Sequence, residues 1–358
     1  MPVARAVFAD LRFAFERRDY REVLATGEQA IAALDDDPGQ REFVPAAMVL
    51  IGGSLLSVEH YRDGVAWLEQ GLVRMPGTAS DHELRGAHWF HRALADTYLL
   101  LGRWDRAGLY VDWLAQPAQP PESRLAATRG RLFLDSARGR FDNVAFLLNA
   151  AADLARRTHS EVAEAVVEAD RALALAAQGR LREAVVCADA VTPRLAAPGR
   201  DERQQWANQQ ATVVLTSLAR MLAEAGDLMT AERYLLEVAI PAAQARRSYA
   251  RAQHELARSV VWREENELER AEPAGRAAVE HFSALDTLPA LAVARLAVAR
   301  VAERRGHLVA ARSLYQRAVS ELAALGLPRE HAEASRRLDG LPIAPRRPGP
   351  PAAAGHGS

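Results

Sequence analysis

From about residue 5 to residue 326, apolar residues recur at spacings of three and four, and the alternation that marks a half-buried strand is absent. The pattern predicts helices throughout, and the helices recur as units. A junction of fixed form repeats along the chain: a helix-ending residue, a short turn, a large apolar residue, then small residues three and ten positions further on. Leu101-Gly102-Arg103-Trp104 with Ala107 and Leu114 is the clearest copy. The large apolar anchor falls at Tyr20, Tyr61, Trp104, Phe141, Leu181, Leu228, Leu268 and Leu308, with successive gaps of 41, 43, 37, 40, 47, 40 and 40 residues. Three positions after the anchors stand Val23, Gly64, Ala107, Val144, Ala184, Ala231, Ala271 and Ala311, small or β-branched as the close approach of two helices in a hairpin requires. Ten positions after them stand Ala30, Gly71, Leu114, Ala151, Val191, Val238, Ala278 and Ala318.

Turn chemistry marks the same boundaries. Gly102, Gly139, Gly179, Gly226 and Gly306 occupy helix-ending positions where a left-handed residue is cheapest. Proline punctuates the longer connections, at Gln116 to Pro121, Pro198 to Asp201 and Leu288-Pro289. Pro328 opens a short polar helix ending near Gly340, suited to cap a stack of units. The organisation expected is one continuous α-solenoid over residues 1–340, followed by a disordered Pro/Gly/Ala tail over 341–358.

Ile51-Gly52-x-x-Leu55, Gly64-x-x-x-Leu68 and Pro76 resemble the tetratricopeptide pattern, as do Leu94-Ala95-x-x-Tyr98 with Ala107-x-x-x-Val111. Leu218-Ala219 with Ala231-x-x-x-Leu235, and Val298-Ala299 with Ala311-x-x-x-Tyr315, sit in the same register. The unit is near 40 residues where the family's is 34, so each helix gains close to one turn. Units of this length are similar to those of sensor and adaptor regions in bacterial regulators. The resemblance implies an all-α, right-handed superhelical solenoid of about eight helix hairpins with a C-terminal capping helix.

Composition narrows the function. The 45 basic and 46 acidic residues leave a net charge of −1, so no overall field draws the chain to nucleic acid or anionic lipid. Every basic residue is Arg; the chain contains no Lys. P-loop hydrolysis and imine chemistry are thereby excluded. Codon bias in a GC-rich genome accounts for the absence, and selection against an acylatable or taggable side chain is the alternative. One cysteine, Cys187, forms no internal disulfide and reads as a small core residue on a helix. No apolar run is long enough for a signal peptide or a membrane span, so a cytoplasmic protein is expected.

The densest candidate for chemistry is Asp81-His82-Glu83 followed by His88 and His91, the last two one helical turn apart. A zinc-protease helix would need a third ligand where Gly86 stands, so His82, His88 and His91 are a weak metal candidate beside the reading of surface or groove residues. The pair Glu264-Glu265 reads as exposed ion pairs on an Arg-rich helix, and Asp35-Asp36-Asp37 as a helix end. No Gly-x-Ser-x-Gly elbow or phosphate-binding glycine loop occurs.

Neither a catalytic centre nor a cofactor is therefore expected. In such stacks the first helix of each pair lines a concave surface. Counting back from the junctions places Trp89, Arg92 and Asp96, Arg129 and Phe133, Arg220, and Arg300 on that surface. Arginine interleaved with aromatics suits recognition of an extended or carboxylate-bearing peptide. The expectation is a non-catalytic adaptor gripping a peptide or protein partner. A ligand-responsive sensor acting through a separate effector is the alternative.

Overall fold

The computed structural model describes residues 3–74, 81–195, 202–244 and 248–342, with side chains placed there except at 3–5, 81–87, 195, 202–209, 240–244 and 248. Eight hairpins follow in order. They are α1 (Val3–Glu16) with α2 (Tyr20–Asp36), α3 (Val44–Ser57) with α4 (Tyr61–Arg74), and α5 (Asp81–Leu101) with α6 (Trp104–Leu114). Next come α7 (Pro121–Ala137) with α8 (Val144–Arg157), α9 (Glu161–Ala177) with α10 (Leu181–Leu195), and α11 (Glu202–Glu224) with α12 (Leu228–Gln244). Last are α13 (Ser248–Glu264) with α14 (Leu268–Ala284), α15 (Leu288–Arg304) with α16 (Leu308–Ala324), and the capping helix α17 (Pro328–Gly340). The architecture is the right-handed all-α solenoid expected, with no strand among the described residues.

Each unit is closed by the same turn. The residue two before every anchor has a positive φ: Arg18, Glu59, Gly102, Gly139, Gly179, Gly226, Asn266 and Gly306, between 61° and 90°. The following amide then bonds five residues back, as Arg103 N does to Tyr98 O at 2.9 Å and His307 N to Ala302 O at 2.9 Å, satisfying a helix-end carbonyl. All eight junctions make this bond, including the three without glycine. Behind the turn, the small residues do the packing predicted of them. Ala107, Ala184, Ala231, Ala271 and Ala311 are all 0% exposed, and Ala30, Leu114, Ala278 and Ala318 likewise. A larger side chain at any of these would force the two helices of a hairpin apart.

The stack does not remain an open ribbon. Its later units return over its earlier ones, so that the turn edge of units two to five meets the opposite edge of units seven and eight and the cap. Glu59 accepts from Tyr249 N at 3.1 Å, and Arg62 pairs with Asp286. The Trp104 indole donates to Leu325 O, and Arg329 Nη1 to Ala177 O at 3.3 Å. Apolar side chains seal the seam: Leu285 packs with Tyr61 and Leu101, while Trp104 and Leu134 pack with Ala292, Leu296, Leu325 and Leu327. The two edges of the stack are thereby joined.

At the C-terminus, Leu341 is buried and its carbonyl accepts from Arg312 at 2.6 Å. The tail expected beyond it lies from residue 343 onward outside the described residues, as do Pro76 and the Pro198 to Asp201 junction. No described helix is long and apolar enough to cross a membrane.

Candidate interior binding site

The first helices of the units carry two charged groups. In the first, Trp89, Arg92 and Asp96 lie along α5, one helical turn or so apart. The edge of Trp89 covers Gly53 of α3 so closely that a Cβ there would stand 2.7 Å from the ring. Arg92 is 3.8 Å from Asp96. Asp96 keeps 59% of its side-chain surface, yet burial raises its pKa above the ordinary carboxylate value against the opposing pull of Arg92 and Arg129.

On α7, Arg129 reaches across to Asp170 of α9 in a two-pronged pair, Nε to Oδ2 at 2.5 Å and Nη2 to Oδ1 at 3.2 Å, with both side chains about one-fifth exposed. Phe133, one turn on, is half exposed with its ring 5.9 Å from Trp104 at the seam.

The second group joins the C-terminal ends of α11, α13 and α15. Arg300 holds Glu224 at 2.8 Å and Glu333 of the cap at 3.2 Å, and Arg220 stands 3.7 Å from Glu224. The expected residues Arg220 and Arg300 therefore meet around one carboxylate. Glu264 is not the exposed ion-pair member its sequence suggested: its side chain is 16% exposed and it holds the fully buried Arg263 at 2.5 Å as well as Arg304. Arg300 and Arg304 reach it from α15, and their packing removes it from solvent.

Asp170, Glu224, Arg263, Glu264 and Glu333 were missed from sequence. A signal existed for two of them, because Glu224 and Glu264 each stand two residues before the left-handed turn residue of their unit.

The histidines have a different setting. His91 stacks on Trp113 with ring centres 3.6 Å apart, and His88 lies 5.4 Å from the same ring with Nδ1 3.4 Å from Ser123 Oγ. Burial lowers the His88 pKa and favours the neutral ring. Both rings thus pack on α6. His82 lies outside the described side chains, and no group of three potential metal ligands occurs among the described residues.

The raised pKa of Asp96 has a testable sign. The folded state favours its protonated form, so its contribution is most favourable below the unfolded pKa and is lost as pH rises through the folded one. Asp96→Asn should therefore raise the thermal midpoint at pH 7, with the advantage over wild type shrinking towards about pH 4. An advantage independent of pH would refute the desolvated setting.

No family model and no curated protein sequence matches the chain. Among solved structures it is similar to a Rap protein crystallised in complex with a competence and sporulation factor. The TM-score is 0.58 at 11% identity, covering 94% of this chain and 96% of that one. At this identity the similarity is one of fold, and it runs nearly the full length of both chains.

Proposed function

We propose that this chain is a non-catalytic binding protein that holds a peptide segment, free or belonging to a partner protein, inside its closed superhelical turn. The observation that carries the reading is the seam. By joining the two edges of the stack it supports a ligand held on the first helices, against Trp89, Arg92, Asp96, Phe133, Arg220 and Arg300. Flat apolar faces beside guanidiniums and carboxylates of both signs suit a short segment that carries charge and at least one large apolar residue. The fold's similarity to a Rap protein crystallised with a competence and sporulation factor is consistent with ligand capture by such a stack.

A second reading, a regulator that signals through a separate effector, is favoured by the same seam. Whether its two edges meet depends on superhelical pitch, so a ligand that binds the closed and open forms unequally shifts that equilibrium.

The test is selection of a random decapeptide library on the full chain, with Trp89→Ala plus Asp96→Ala as comparison. Wild type should enrich a consensus that the double variant retains at least tenfold less. No consensus, or the same consensus on both, would defeat the reading.

A further inference from the structure

The charged network at the ends of α11, α13 and α15 does not balance. Contacts of 4.0 Å or less join Arg220, Arg263, Arg300, Arg304 and Arg337 to Glu224, Glu264, Glu303 and Glu333. Five guanidiniums face four carboxylates. A surplus charge at an open surface would be screened, but much of this network is withdrawn from solvent.

Two members show where the shortage falls. Arg263 is fully buried; its Nε and Nη2 both reach Glu264, while Nη1 has no hydrogen-bond partner among the described residues. Burial, then the neighbouring Arg300, lowers its pKa to about 10 despite Glu264. Arg220 is only 20% exposed, and its single ion pair is the long one to Glu224, whose other oxygen Arg300 already holds. Arg220, Arg300 and Arg329 border, with the carboxylates of Glu224, Glu330 and Glu333, a cavity of about 40 Å³ whose apolar lining includes Met221, Val260 and Leu296; Arg329 and Glu330 add one charge of each sign, so the surplus of one guanidinium stands. That is room for a group of carboxylate size, since one water needs roughly 10–15 Å³.

We propose that this cavity is an anion subsite that takes one carboxylate of the bound peptide on Arg220 and Arg300, with Arg263 behind them supplying the uncompensated charge. A single surplus charge and a small cavity match a monoanionic carboxylate better than a dianionic phosphate. The apolar lining receives the aliphatic part of the same residue. The inference rests on the peptide-binding reading above and assigns one end of the ligand to the C-terminal units.

The experiment uses the peptides enriched on the full chain. In each, the terminal carboxylate is amidated, and separately every Asp and Glu is replaced by its amide. Binding is measured by fluorescence anisotropy on wild type, Arg220→Gln and Arg220→Lys, with thermal midpoints showing that the variants fold. One carboxylate should account for a tenfold or greater loss on wild type. The same change should cost little on Arg220→Gln, and Arg220→Lys should fall between. Loss on amidation assigns the terminal carboxylate; loss on one Asp or Glu replacement assigns a side chain. Enriched peptides whose carboxylates are all dispensable, or whose critical carboxylate matters equally on Arg220→Gln, would overturn the subsite and leave peptide binding intact. Absence of any enriched peptide overturns both.

Discussion

Gly102→Ala is expected to destabilise the protein by about 2–4 kcal/mol and to open its superhelix, whereas Gly306→Ala, at the equivalent turn of the last unit, costs only about 1–2 kcal/mol. Both glycines hold a positive φ, 72° and 74°, so both substitutions meet the same backbone penalty. Their surroundings differ. A Cβ on Gly306 meets nothing within 4 Å, but one on Gly102 would stand 2.8 Å from Leu325 Cδ2 and 2.9 Å from Pro289 Cδ and Cγ. The proline ring is rigid, and Leu325 is buried with its carbonyl bonded to the Trp104 indole. Relief therefore comes from separating the two edges of the seam. Urea unfolding gives the stability difference, and small-angle scattering should show a larger radius of gyration for Gly102→Ala alone. Equal costs at the two glycines, with unchanged scattering, would mean that the seam contributes nothing to closure.

That contrast shows what was legible in the sequence. Local features were: the residues three and ten positions after the anchors are buried and the five junction glycines take the left-handed turn, while seven of the eight anchors open a second helix, Phe141 standing three residues before α8 and Leu308 remaining 37% exposed. Arg18, Glu59 and Asn266 also hold the left-handed turn, and no glycine betrays them, because the closed hairpin around each imposes the conformation on a residue that disfavours it. The seam was not legible. Leu285, Pro289 and Leu325 read as ordinary junction residues, and their meeting with units two to four depends on a twist accumulated over five units. The candidate site was half legible for the same reason. Register located Trp89, Asp96, Arg220 and Arg300 on first helices, but which carboxylate each arginine would face depends on the neighbouring helix, as Asp170 and Glu224 show.

The pairing of Arg129 has the other large consequence. Arg129→Ala is expected to cost about 3–5 kcal/mol, since it leaves the Asp170 carboxylate largely buried without its cation. Arg129→Met with Asp170→Leu should recover most of that loss, because removing both charges also removes the desolvation that opposed them. A double-mutant cycle by urea unfolding checks this; a coupling energy below about 0.5 kcal/mol would make the pair energetically idle. The pair spans the first helices of two successive units and adjoins Asp96, so its loss reaches the interior by two routes. It frees α7 from α9, and it removes one of the two cations that restrain the pKa of Asp96. Peptide binding should weaken in Arg129→Ala by more than in the double variant, because the double variant restores the spacing of the wall while lacking the charges. Arg129 would then act on the ligand by holding the wall in place, leaving Arg92, Arg220 and Arg300 as the arginines that meet it.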